Sequence, residues 1–224
     1  MFWEPIKPLL SQVEISPKPD NQPVTVQFIP EGLEVVGTGT DAVVVRSPSL
    51  PQIVFKVYTE GRQEARDDEY DVYRKLGNSP YFPACYGVDD RFLVMSYEPG
   101  LTLYDCLVQG VVIPGTIIEE VEEARRYVRK IGLNPRDIHL KNVLLQDGRA
   151  KLLDVSEYGK PGDDGRWDHL VQGYRMFYPY LEGRRIPMWL IERVKGAYYD
   201  QVKGEFSLAE FGRTFLQFFQ PGKR

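Results

Sequence analysis

The sequence predicts an α+β protein whose strand-rich first half is followed by a helix-rich second half, and three observations carry that expectation. From Val24 to Val57, short apolar runs are broken by Gly and Pro at strand-like intervals. After Gly100 the apolar residues recur at helical spacing. Between the halves, Pro99-Gly100 interrupts both patterns. A chain of 224 residues suits one large domain or two joined lobes. The expected divisions are an N-terminal extension over 1–23, a first lobe over 24–98 and a second, reduced lobe over 99–224.

Each element has its own justification. Residues 1–23 are rich in Pro, Ser and Lys with little periodicity, which predicts an extension or docking arm. Strands are expected over 32–36, 42–46 and 52–58, ending at Gly61. A helix is expected over 64–76, because Glu69, Val72, Tyr73 and Leu76 share helical spacing and Gly77-Asn78 stops the pattern. Two further strands, over 84–88 and 91–97, are joined at Asp89-Asp90. In the second half, Thr116 and Glu119 read as a capping box ahead of Ile117, Ile118, Val121, Ala124, Val128 and Ile131. Strands over 143–145 and 150–153 flank Asp147-Gly148, a hairpin signal. Helices are expected over 167–178, 189–199 and 207–219, the last with a Ser207/Glu210 capping box and an apolar face of Leu208, Phe211, Phe215 and Phe218. A cleft between two such halves is a natural ligand site.

Bulk properties exclude several function classes. A net charge of −4 and a pI near 5.4 lack the basic footprint of a nucleic-acid binder. Cys85 and Cys106 are far apart and neither has metal-ligand spacing, so both are expected to be free buried thiols. Glu4, Pro5 and Pro8 break the apolar core that a signal peptide needs, and no apolar run approaches the ~20 residues of a membrane span. A cytoplasmic protein without membrane partners is the expectation.

The chemistry concentrates in Asp137-Ile-His-Leu-Lys-Asn142 and in Asp154. Phosphoryl transfer needs a carboxylate to orient and deprotonate an attacking hydroxyl, and oxygen ligands for Mg²⁺. Asp137 and Asn142 stand five apart just before one predicted strand, and Asp154 ends the next. A hairpin there brings Asn142 and Asp154 side by side. Upstream, Gly37 and Gly39 lie between predicted strands, where backbone N–H groups can approach a phosphate closely. Lys56 interrupts the apolar run Ile53-Val54-Phe55-Lys56, and a lysine there needs an anion. Glu69 is the expected partner on the following helix, with Glu64 as competitor.

This ordered set resembles the eukaryotic-like protein kinase family, in its small truncated bacterial serine/threonine form. The resemblance implies a two-lobed fold, with a strand-rich first lobe and a reduced helical second one, using ATP and Mg²⁺. Asp137 would be the base, Asn142 and Asp154 the metal ligands, and Lys56 the residue that neutralises phosphate when oriented by Glu69. Gly37 and Gly39 correspond to the glycine-rich loop, with Ala42 in place of its third glycine. Val44, Val54 and Met95 would pack on adenine, and the backbone of Ser96 and Glu98 would bond its edge. An unidentified protein substrate is the implied partner. An alcohol or amino-sugar acceptor, or a pseudokinase scaffold, are the alternatives.

Departures from the family pattern carry expectations too. Pro135 stands where a histidine is usual, and Asp-x-His-x-x-Asn looks like RIO-type kinases and antibiotic or choline phosphotransferases. His139 would either support the loop or help neutralise phosphate. Trp167-Asp168-His-Leu170 resembles the helix start whose buried Asp anchors the catalytic loop, only fourteen residues after Asp154. The long peptide-receiving segment is therefore missing or much reduced. Ser156 and Tyr158 are its hydroxyl side chains, while Asp163 and Asp164 already provide carboxylates. One of these is expected to reach Arg136 permanently, giving activity without loop phosphorylation.

Overall fold

The computed structural model describes residues 1–201 except Asn21, so the helix expected over 207–219 lies outside the described residues. A short 3-10 turn, Glu4–Ile6, leads into α1 (Lys7–Leu10), then β1 (Glu14–Ser16) and β2 (Thr25–Phe28). The main sheet follows: β3 (Glu34–Thr38), β4 (Ala42–Arg46), β5 (Ile53–Tyr58), β6 (Cys85–Val88) and β7 (Phe92–Ser96). Its order is β3-β4-β5-β7-β6 and every pairing is antiparallel. The helix α2 (Gln63–Leu76) comes between β5 and β6 in the chain. β3 begins two residues later than the pattern suggests, because Leu33 closes a turn onto the Pro30 carbonyl and Gly32 has φ 92.

Both faces of the sheet are covered. In β4, Val43 and Val45 are fully buried on one face, while Ala42 and Val44 serve the other. The first face packs under Trp3, Ile6, Leu10, Val13, Ile15 and Val24, which meet Val43, Val45, Phe55, Val57, Phe92 and Val94 in one cluster. The residues expected to form an extension or docking arm are docked on the sheet. Full burial of side chains of this size contributes about 1.5–3 kcal/mol each. Gly87 makes room for the Trp3 ring, since a Cβ there would stand 2.8 Å from it.

The second half contains β8 (Leu101–Thr102), α3 (Leu103–Gln109), α4 (Gly115–Lys130), β9 (Val143–Gln146), β10 (Arg149–Leu152), α5 (Arg166–Phe177) and α6 (Met188–Gln201). Its small sheet has the order β10-β9-β8. Asp147 (φ 48) and Gly148 (φ 79) both adopt left-handed backbone, the requirement of the type I′ hairpin that the dipeptide announces. The Thr116/Glu119 capping box does not form: α4 starts at Gly115 after Pro114, which leaves Thr116 inside the first turn. A capping box forms instead at Thr102 and Asp105, at the head of the unanticipated helix α3. One apolar cluster joins the two lobes, running from Tyr58, Val72, Leu76 and Met95 to Ile117, Val128, Leu152 and Tyr158. The architecture is the two-lobed, kinase-like α+β fold. Among the described residues no helix is long and apolar enough to cross a membrane.

Candidate functional site

Sheet register gathers several of the expected nucleotide-binding positions on one face. Gly37 pairs with Val44, Val44 with Lys56, and Val54 with Met95. Alternation along β5 then puts Val54 and Lys56 on the same side as Val44 and Met95. α2 brings Glu69 up to this face, with its carboxylate almost fully buried. Lys56 Nζ donates to both Glu69 oxygens, at 2.8 and 2.7 Å, and the Tyr58 hydroxyl donates to Oε2 at 2.7 Å. Glu64, the competing partner, is exposed on α2 and takes no part in this contact. Lys56 also lies 3.6 Å from Asp154 Oδ2. Burial pulls the Lys56 ammonium down, but Asp154 and Glu69 outweigh it and hold its pKa above the ordinary lysine range.

The β9–β10 hairpin brings Asn142 and Asp154 close, as its turn predicts. The Leu153 N–H donates to the Asn142 carbonyl at 2.9 Å. Asn142 Nδ2 in turn donates to the Asp137 carbonyl at 3.1 Å, and the Asn142 N–H to the His139 carbonyl at 2.9 Å. Burial would raise the Asp154 carboxyl, but Lys56 and the Ser156 N–H, at 3.0 Å from Oδ1, hold it below the usual range. Asp137 sits in left-handed backbone at φ 53, a conformation Asp tolerates better than most residues. Its side chain is pushed up to about 6, chiefly by burial, with the Arg166 guanidinium pulling it partly back. His139 Nδ1 accepts the Lys141 N–H at 3.2 Å, and burial with nearby Arg166 brings the ring down to about 4. That contact ties the ring to the backbone of its own loop.

Two polar groups that the sequence reading did not connect with Asp137 complete the loop. Asp164 Oδ2 accepts the Asp137 N–H at 2.7 Å, and Arg166 forms an ion pair with Asp137 Oδ1. Asp164, not Asp168, thus anchors the loop that carries Asp137. Asp168 is exposed and pairs with Arg125 of α4 at 2.7 Å. The cause is Gly165, whose left-handed backbone (φ 66) starts α5 and leaves Asp164 on the loop side. The expected contact of Asp163 or Asp164 with Arg136 does not occur. Asp163 pairs with Arg129 at 2.9 Å and Arg125 at 3.3 Å, while Arg136 donates to the Pro161 carbonyl at 2.5 Å. Tyr158 is buried, so of the two loop hydroxyl residues only Ser156 is exposed.

At the junction between lobes, the Ser96 N–H donates to the Ala84 carbonyl at 2.9 Å. Glu98 accepts from Ser96 Oγ at 2.5 Å and pairs with Lys151 at 3.4 Å. The fold itself does not require glycine at 37 or 39. An added Cβ would meet Val44 at 3.8 Å or the Ala42 carbonyl at 3.6 Å, ordinary contacts. Among the described residues no cluster of three or more His, Cys, Asp or Glu could hold a metal. Asn142 and Asp154 offer two hard oxygen donors, which suits Mg²⁺ completed by phosphate and water oxygens rather than an all-protein cage.

No family model matches the chain. A Bacillus subtilis (strain 168) protein named "Putative serine/threonine-protein kinase YrzF" is 32% identical over 171 residues, spanning 75% of this chain and 80% of the relative. Similarity of this extent, on a fold of two such lobes, carries a plain conclusion: the chain belongs to the kinase-like phosphotransferase family of that protein.

Proposed function

We propose that the chain transfers the γ-phosphoryl group of ATP, bound with Mg²⁺, to a serine or threonine hydroxyl of a protein. The observation that carries this reading is the Lys56 ammonium, bonded to Glu69 on one lobe and 3.6 Å from Asp154 on the other. Phosphoryl transfer is almost entirely positioning and charge stabilisation, and this arrangement supplies both. In this reading Val44, Val54 and Met95 pack on adenine, and Gly37 and Gly39 let the β3–β4 turn approach the phosphates. The Ser96 N–H is used within the sheet, so the Ser96 carbonyl and the Glu98 N–H read the base edge. Lys56 lies against the phosphates, oriented by Glu69. Asn142 and Asp154 hold Mg²⁺, which screens the phosphate charge when bound. Asp137 accepts the proton of the attacking hydroxyl, and a base raised to about 6 suits that task near neutral pH.

The short segment from Asp154 to Asp168 favours a second reading, an alcohol or amino-sugar acceptor. The purified protein, incubated with γ-labelled ATP and Mg²⁺ alone and with cell lysate, separates the two. Label transferred to protein supports the first reading. ATP turnover stimulated only by a small metabolite, with no labelled protein, replaces it with the second.

A further inference from the structure

Phosphoryl transfer to a hydroxyl develops negative charge on oxygens at both ends of the transferring group, and a site that stabilises only one end is incomplete. At the nucleotide end Lys56 is in place, held by Glu69 and near Asp154. At the acceptor end stands Asp137, an anion. His139, two residues on, cannot supply positive charge there, because its Nδ1 accepts the Lys141 N–H. The Lys141 ammonium is itself turned to the Tyr104 ring, 4.5 Å from its centroid, and lies 3.8 Å from Glu192.

The cation in contact with Asp137 is Arg166, the first residue of α5. It is held there from two sides. Its backbone N–H donates to Asp164 Oδ1 at 3.2 Å, and its Nε lies 3.7 Å from Asp164 Oδ2. That same oxygen takes the Asp137 N–H at 2.7 Å. One carboxylate therefore fixes the base and the guanidinium relative to each other. A guanidinium also presents a planar fork of donors that matches phosphoryl oxygens.

We propose that Arg166 is a catalytic residue of the acceptor side. It holds the Asp137 carboxylate until the acceptor hydroxyl binds there, and then donates to the oxygens of the transferring phosphoryl group. In that step the bond from the acceptor oxygen to phosphorus forms as the bond from phosphorus to the ADP oxygen breaks. The hydroxyl proton passes to Asp137, ADP leaves, and Arg166 keeps its own protons throughout. The inference rests on the phosphotransferase reading above and assigns the cation that reading leaves unnamed.

The test uses the full chain with γ-labelled ATP, Mg²⁺ and the acceptor it labels, comparing Arg166→Ala and Arg166→Lys with the unaltered protein. Arg166→Ala is expected to lower kcat about 10²-fold with the KM for MgATP within about twofold. Arg166→Lys is expected to recover part of the rate. Free guanidinium at millimolar concentration is expected to rescue the alanine variant but not the lysine one. A kcat unchanged in Arg166→Ala overturns the proposal. So does a lost rate that neither guanidinium nor lysine restores, which marks a purely structural role. If Arg166→Ala does not fold, Arg166→Met takes its place under the same criteria. Absence of any transfer by the unaltered protein refutes the phosphotransferase reading instead, which keeps the two failures distinct.

Discussion

A lysine on an otherwise apolar strand is tolerable only when its ammonium is paired, and Lys56 meets that condition through Glu69 and Asp154. This much was legible in the sequence, since Lys56 had to find an anion and helical spacing set Glu69 on the face of Val72, Tyr73 and Leu76. The alternative partner differed by five positions, more than one helical turn, and so pointed elsewhere. Glu69→Gln is accordingly expected to destabilise the fold by about 3 kcal/mol, the order found when one member of a buried ion pair is removed. It should also reduce phosphoryl transfer, while Glu64→Gln changes neither. Denaturant unfolding and label transfer on both variants check this, and the reverse order would move the pair to Glu64. The partners of Asp164 and Arg166 were not legible, because they depend on how one glycine turns the chain. A run of Asp163-Asp164-Gly165 announces a turn but not which carboxylate faces the loop that carries Asp137. Nor could Asp163 be assigned to Arg125 and Arg129 rather than Arg136 without the helix α4 in place.

Elements show a similar division between local and tertiary causes. The Asp147-Gly148 hairpin was readable because two successive left-handed residues are a local demand. The capping box at Thr116 was misplaced because a Ser/Thr followed by Glu fits many registers, and the helix is capped at Pro114, two residues ahead of Thr116. The seven-residue helix α3 is too short for periodicity to reveal, although Thr102 and Asp105 carried its signature. At the junction between lobes, Gly100 has φ 153 and its missing Cβ would lie 2.7 Å from the Leu145 carbonyl oxygen. The close approach of the chain to β9 depends on that glycine. Gly100→Ala should therefore cost roughly 1–3 kcal/mol through strain at a special backbone position. An unchanged urea midpoint would show that β9 yields without cost.

For the molecule as a whole, the sheet's second cover was the least legible feature, although a sign of it was present. Val43-Val44-Val45 has no alternation, the mark of a strand buried on both faces. The Pro-rich composition of the first 23 residues hid the apolar set at Trp3, Ile6, Leu10, Val13 and Ile15 that covers it. Trp3→Ala is expected to cost about 3–5 kcal/mol, as for a large aromatic removed from a core, and calorimetry or denaturant unfolding measures it. A loss below ~1 kcal/mol would mean that the segment is dispensable to the sheet. The central proposal is that Asp137 acts as base beside Asn142 and Asp154. Label transfer from γ-labelled ATP by Asp137→Asn, with MgATP binding followed in parallel by thermal shift, tests it most directly. The account predicts transfer lowered by about 10²–10⁴-fold with the MgATP-induced shift retained. Transfer at the unaltered rate in the purified variant would contradict it.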